Sequence, residues 1–206
     1  MNEHEKHQYG VIILAAGQSR RFQENKFLVH INGIPLLQRT LDPFLELASR
    51  IKTVIVVTGA YTEELKPLLQ KLKAKQVHNQ VYTTGGMSSS VRKGLACLQD
   101  ELEELNGVFI HPGDIPFILS QDLLRMIVFL EEKIKLIIIP TYKKRRGHPL
   151  LVHSSLIGEL NTIKERNQGL RGFLSKYSEE IGFIPLNNPG ILQDIDYPED
   201  LERIRA

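Results

Sequence analysis

Val11-Ile12-Ile13-Leu14-Ala15-Ala16-Gly17-Gln18-Ser19-Arg20-Arg21-Phe22, followed by Lys26, reads as a buried β-strand that runs into a small-residue turn and then into three cations. Apolar residues in unbroken succession suit a strand covered on both faces, as in the interior of a parallel sheet. Ala15-Ala16-Gly17 leaves little side chain in the way of a ligand approaching the backbone. The N–H groups of such a turn form an anion-binding concavity, and Arg20, Arg21 and Lys26 supply countercharge for phosphates. The same residues also satisfy a plainer description: a strand, a tight turn and a solvated basic loop.

Outward from this junction, short β-branched runs alternate with helical patterns. Val11 to Leu14, Thr53 to Thr58, Val108 to His111 and Leu136 to Ile139 read as strands buried on both faces. Leu37, Leu41, Phe44, Leu45 and Ala48 lie at helical spacing within 35–50, and Pro43 predicts a kink or an early stop there. A second helix is expected over 63–75 behind Thr62 as its N-cap, and a third along Val91, Leu95, Leu98, Leu102 and Leu105. Ser120 is expected to cap a fourth through Glu132, and a fifth lies between His153 and Tyr177. The alternation predicts the α/β class: one Rossmann-like domain over 1–206, its mostly parallel sheet flanked by helices on both faces, with 1–9 as a disordered N-terminus. Ligands of open α/β sheets bind beyond the carboxyl ends of the strands, which is where the 15–26 loop falls.

Bulk properties exclude several function classes. The 206 residues carry a formal net charge of +2, too little for nucleic-acid binding by bulk electrostatics. The polar N-terminus has no apolar signal-peptide core, and no apolar run is long enough to span a membrane. A cytoplasmic protein with neither nucleic-acid nor membrane partners is expected. The single cysteine, Cys97, excludes an intramolecular disulfide and is expected to pack in the core of the third helix.

Further motifs fall after the predicted strands. His111-Pro112-Gly113-Asp114-Ile115-Pro116 sets an acid at a strand end, where a turn or capping role is the ordinary one. An acid facing the basic loop would repel phosphates unless a divalent cation lay between them, and Mg²⁺ is commonly held by one or two carboxylates plus substrate phosphates. In Gln193-Asp194-Ile195-Asp196-Tyr197-Pro198-Glu199-Asp200, Asp194 and Asp196 share one side of an extended segment, while Glu199 and Asp200 suit the start of a closing helix. Thr84-Gly85-Gly86-Met87-Ser88-Ser89-Ser90 opens the third helix with N–H groups and hydroxyls that suit a sugar, base or phosphate, though one serine serving as N-cap would also explain it. Lys143-Lys144-Arg145-Arg146-Gly147-His148-Pro149 is a basic run without the interleaved aromatics of a nucleic-acid platform.

Leu-Ala-Ala-Gly-x-Ser-x-Arg-Phe-x-x-x-Lys, Gly-Asp-x-Pro, Gly-Met-Ser-Ser-Ser and Asp-Ile-Asp-x-Pro-Glu-Asp-Leu together resemble the MobA-like NTP transferase family, and within it the molybdenum cofactor cytidylyltransferases. One departure is Gln23, where the family usually has glycine. The resemblance implies a nucleotide-diphospho-sugar transferase fold and a nucleotide held by Leu14, Ala15, Ala16, Gly17, Arg20, Ser88 and Ser90. It implies catalytic roles for Arg21, Lys26 and Asp114, with Mg²⁺ (Mn²⁺ as a substitute) on Asp114 and Asp196, and an acceptor contact at His148. The implied reaction moves CMP from CTP to the phosphate of the molybdenum-pterin cofactor and releases pyrophosphate, serving a molybdenum hydroxylase such as xanthine dehydrogenase. Leu-Ala-Ala-Gly, where the guanylyltransferases of this cofactor read Leu-Ala-Gly-Gly, points to CTP through Ala16. Two alternatives stand beside it: a sugar- or polyol-phosphate nucleotidyltransferase, and a non-catalytic carrier of the molybdenum cofactor. The absence of Gly-Lys-Ser/Thr and of Gly-x-Gly-x-x-Gly disfavours a P-loop triphosphatase and a dinucleotide dehydrogenase.

Overall fold

In the computed structural model, which describes residues 8–22, 24–132 and 134–205 (side chains through residue 201), the opening strand β1 (Gln8–Ala15) lies inside an eight-stranded sheet. The chain continues through a small hairpin, β2 (His30–Ile31) and β3 (Ile34–Pro35), into α1 (Leu36–Leu45), β4 (Ile51–Thr58), α2 (Thr62–Lys71) and β5 (Lys75–His78). It then forms α3 (Gly86–Cys97), β6 (Leu105–Pro112), α4 (Ser120–Glu131), β7 (Ile137–Tyr142), β8 (Arg145–Arg146) and β9 (Leu150–His153). The short α5 (Ile157–Leu160), α6 (Gly169–Lys176), β10 (Ile181–Pro185) and α7 (Pro198–Arg205) complete it.

The sheet order is β10-β7-β9-β6-β1-β4-β5, with β8 paired to β7. β1 is parallel to both β4 and β6, and β9 runs antiparallel between β6 and β7. The mostly parallel α/β sheet flanked by helices is therefore as expected. Alternation along each buried strand builds two cores. Val11, Ile13, Val54, Val56 and Phe109 pack on one face with Leu37 and Leu41 of α1, Leu65 of α2 and Met126 of α4. Ile12, Ile55, Val57, Val108 and Ile110 pack on the other with Val91 and Leu95 of α3, Ile157 of α5 and Phe173 of α6. Each such side chain, fully buried, contributes roughly 1.5–3 kcal/mol.

β1 sits where the chain reverses its direction of growth: β4 and β5 are laid down on one side of it, β6 on the other. That switch point opens a crevice beyond the carboxyl ends of β1 and β6. The Ala15–Lys26 loop and the segment after Pro112 both emerge there.

Several expectations need correction. Residues 1–7 lie outside the described residues, but Gln8 and Tyr9 belong to β1, and the Tyr9 ring is fully buried. Cys97 is exposed: the apolar stripe of α3 runs Val91, Leu95, Leu98, and position 97 points away from it. Instead of one fifth helix, 153–177 holds α5 and α6 separated by a loop that ends at Gln168, which takes a positive φ as does Gly169 at the start of α6. α1 stops early at Leu45, soon after Pro43 as expected, but Thr62 and Ser120 are first helical residues behind Tyr61 and Leu119 rather than caps. β5, β9 and β10 are further strands: β5 is half-buried with polar residues, β9 is only four residues long, and β10 carries Gly182 and Pro185.

Candidate active site

The loop after β1 is ordered by a few local contacts. Ser19 takes a positive φ of 45°, its carbonyl accepts from Phe22 N–H at 2.9 Å, and its hydroxyl accepts from Lys26 N–H at 3.3 Å. Asn25, itself buried, caps the 3-10 turn Lys26–Leu28 by accepting from Phe27 N–H at 3.2 Å. That turn drives Lys26 inward, and only 7 % of the residue remains exposed. Gln23 lies outside the described residues.

Lys26 Nζ donates to Asp114 Oδ2 at 2.7 Å, to Asp196 Oδ1 at 3.0 Å and to the Ile195 carbonyl at 3.0 Å. Asp196 Oδ2 also accepts from Arg21 Nη1 at 2.9 Å, and the Arg21 guanidinium stacks 4.7 Å from the centre of the Tyr197 ring. Burial alone would lower the Lys26 pKa, but Asp114 and Asp196 together more than offset it and hold it above its ordinary value. Burial works to raise the Asp196 pKa, yet Lys26 and Arg21 draw it below the usual carboxylate range. The backbone fixes the two acids independently of Lys26. Gly113 N–H donates to Leu14 O at 2.9 Å, Ile195 N–H to Asp114 O at 2.9 Å, and Asp196 N–H to Asp200 Oδ2 at 3.0 Å. Asp200 also accepts from Tyr197 N–H, the helix-start role expected of it.

These groups open onto a cavity of about 800 Å³. Leu14, Ala16, Gly17, Arg20, Arg21, Lys26, Ser90, Asp114, His148 and Asp196 all line it, so most of the residues singled out in the sequence come together. Ala15 and Ser88 do not reach the wall. The Ala15 side chain belongs to the core. Ser88 is 2 % exposed, with its Oγ buried and unpartnered. The expectation of free N–H groups at the start of α3 also fails in part. Ser88 N–H is taken by Glu165 Oε1 at 2.6 Å, which lies where a side chain on Gly86 (φ 59°) would clash. Ser90 Oγ accepts from the buried Asn79 at 3.0 Å.

The basic run supplies Arg145 and Arg146 to the cavity, after a turn in which Lys143 and Lys144 both take positive φ. His148 is held there through its own N–H, donated to Ile191 O at 2.9 Å. Burial lowers the His148 pKa, and Asp114 and Asp194 only partly oppose this. Behind it, the buried His111 ring lies 6.3 Å from His148 and donates through Nε2 to Ile115 O at 2.9 Å.

The structure adds residues that the sequence reading missed. Asn25 is legible afterwards as an Asx cap one residue before the lysine. Tyr82 lines the cavity as well, together with Met87 and Asp194 from the motifs already quoted. Gly59 has no such signal: a Cβ there would stand 2.4 Å from Ala16 O, so only glycine lets the β4 turn support the loop after β1.

Asp114 and Asp196 converge on one point at which the Lys26 ammonium is now the cation. Both donors are hard oxygens, so the pair fits Mg²⁺ or Mn²⁺ completed by substrate phosphates.

The family described as MobA-like NTP transferase domain matches residues 11–181. A 2-C-methyl-D-erythritol 4-phosphate cytidylyltransferase of Thermosipho melanesiensis is 33% identical over 125 residues, covering 59% of this chain and 53% of that protein. The match thus spans about half the length of that relative. A probable molybdenum cofactor guanylyltransferase of Thermococcus sibiricus is 26% identical over 205 residues, 95% of this chain and 96% of that one. In fold, the Mycobacterium tuberculosis protein Rv0371c, crystallised with manganese, superposes with a TM-score of 0.76 at 20% identity, over 96% of this chain and 97% of its own. Among the described residues no helix is long and apolar enough to cross a membrane. The matched span takes in the β1 turn, Lys26 and Asp114, and the chain belongs to the MobA-like NTP transferase domain family of nucleotidyltransferases.

Proposed function

We propose that this cavity binds CTP and the molybdenum-pterin cofactor, and transfers CMP to the cofactor's phosphate with release of pyrophosphate. The observation that carries the reading is the meeting of Lys26, Asp114 and Asp196 within 3.0 Å at the end of a phosphate-binding turn. The N–H groups of 15–17, with Arg20, Arg21 and Lys26, hold the triphosphate in line with the acceptor. The acceptor phosphate is already an anion, so no general base is required. One of its oxygens bonds to the α-phosphorus as the α–β bridging bond breaks, and Lys26 and Arg21 take up the charge that develops on the leaving pyrophosphate. Bound on Asp114 and Asp196, Mg²⁺ or Mn²⁺ would add charge neutralisation at the same phosphates.

Ala16 lines the cavity, where its methyl narrows the space open to a base and supports cytosine over guanine. Arg145 and Arg146 attract an anionic acceptor, and His148, kept neutral by burial, offers it a hydrogen bond. The product would serve a molybdenum hydroxylase such as xanthine dehydrogenase, in the cytoplasm. Incubation with CTP or GTP, Mg²⁺ and molybdenum cofactor, followed by mass spectrometry of the dinucleotide, tests both choices. A guanine dinucleotide would overturn the nucleotide assignment.

A second reading has its own support in the similarity to a methylerythritol-phosphate cytidylyltransferase. There the acceptor is a phosphorylated polyol. Pyrophosphate release with such a phosphate, and none with molybdenum cofactor, would favour it.

A further inference from the structure

Lys26 has three N–H donors, and the protein takes all three. Asp114 Oδ2, Asp196 Oδ1 and the Ile195 carbonyl each accept one, at 2.7, 3.0 and 3.0 Å. None is left for a phosphate. The second oxygen of Asp196 is occupied by Arg21 at 2.9 Å. Lys26 is therefore spent on the carboxylates suited to a metal, and Arg21 is drawn to one of them through Nη1.

We infer that Lys26 holds the metal position in the free protein and leaves it only for a triphosphate, so that metal and nucleotide bind as one coupled event. This rests on the metal reading given above. A divalent cation arriving alone meets an ammonium already seated between its two ligands and must displace it against like charge. A triphosphate offers Lys26 and Arg21 new acceptors, and the carboxylates then become free for the cation that accompanies it. The acids need no help from Lys26 to stay together. Ile195 N–H ties its peptide to the Asp114 carbonyl at 2.9 Å, and Asp200 holds the Asp196 N–H at 3.0 Å. The site is thus built for exchange of one cation for another. Because coupling is reciprocal, whatever loosens Lys26 should also tighten metal binding.

The test is Mn²⁺ binding to nucleotide-free protein, followed by electron paramagnetic resonance, with melting temperatures recorded in parallel. Lys26→Gln should bind Mn²⁺ roughly tenfold or more tightly than wild type, within the usual span of coupled ligands. Its melting temperature should also rise more with Mn²⁺ than that of wild type. Arg21→Gln alters an exposed side chain, leaves the core untouched, and should show a smaller gain of the same sign. Folded variants that bind Mn²⁺ no better than wild type would overturn the exchange. The double variant Lys26→Gln/Asp114→Asn separates the two readings: it should lose the gained affinity. If it keeps that affinity, the metal is not on these carboxylates, and the metal assignment fails along with the exchange.

Discussion

Lys26 donates a 2.7 Å hydrogen bond to Asp114, 88 positions further along the chain, and this contact joins the two strand ends that make the site. The lysine belongs to the loop after β1, the acid to the turn after β6, and those strands are parallel neighbours in register, Leu14 beside Pro112. The chemistry is thus assembled by the topology of the sheet: one switch point brings a cation-rich loop and an acid-bearing turn to the same crevice. The C-terminal segment adds the second acid from a position 170 residues beyond Lys26.

In the proposed transfer, Asp114 is the residue on which the rate is expected to depend most. Asp114→Asn keeps the shape but removes the charge that faces Lys26. Pyrophosphate release should fall by roughly 10²–10³-fold, the scale on which a single electrostatic group acts in a transition state. Circular dichroism should be unchanged, because the carbonyl of residue 114 still accepts from Ile195 N–H and the asparagine oxygen can still accept from Lys26. Activity retained within a factor of a few would make Asp114 a turn residue.

Asn25 presents Lys26 without entering the chemistry. Asn25→Ala removes the acceptor for Phe27 N–H and the donor to Glu64 Oε2 at 3.2 Å. Loss of such a cap costs about 1 kcal/mol. The urea midpoint should fall accordingly, and turnover should fall with it because the turn that carries Lys26 loosens. A midpoint loss with unchanged turnover would show that the turn needs no cap to hold the lysine.

The part of the fold legible in the sequence is the part whose signal is local and unbroken. Val11 to Leu14, Thr53 to Thr58 and Val108 to His111 announce themselves because strands covered on both faces need no polar side. β9 and β10 do not: Leu150–His153 is a short antiparallel insertion, and Ile181–Pro185 is an edge strand broken by Gly182 and Pro185, with Phe183 exposed. The site follows the same logic. Asp114, Asp196, Arg21 and Lys26 lie in compact motifs beside strand or helix ends. The resemblance of Gly-Met-Ser-Ser-Ser implies a nucleotide contact at Ser88, yet the Glu165 carboxylate from a distant loop covers that helix start. Nothing near Ser88 in the sequence foretells that contact, which depends on where the chain between α5 and α6 is folded back.

Tyr197 steadies Arg21 through its ring, 4.7 Å from the guanidinium carbon. At a partly exposed site such a contact is worth about 0.5–1 kcal/mol. Tyr197→Leu should therefore raise KM for the nucleotide by roughly two- to fivefold, with kcat little changed, while Tyr197→Phe keeps the ring and both constants. If the phenylalanine variant loses as much as the leucine one, the hydroxyl rather than the ring face is what matters.

His111 gives the fold a dependence on acid that is separate from catalysis. Its ring is fully buried, Nε2 donates to the Ile115 carbonyl, and Nδ1 has no partner among the described residues, so protonation would place an uncompensated charge in the core. Burial pushes its pKa from 6.5 down to about 3. Between those values the unfolded chain binds a proton that the folded chain refuses, so stability is full above pH 6.5 and declines as the pH falls below it. The slope for one such group is about 1.4 kcal/mol per pH unit, or roughly 2 kcal/mol between pH 6.5 and 5. The shift of His148 has the same sign and adds to the decline. Urea midpoints at pH 7, 6 and 5 measure this directly. His111→Asn should start lower at pH 7, because it loses packing against Phe44, and then fall less steeply than wild type. An unchanged slope would mean that some other buried base governs the acid sensitivity of the fold.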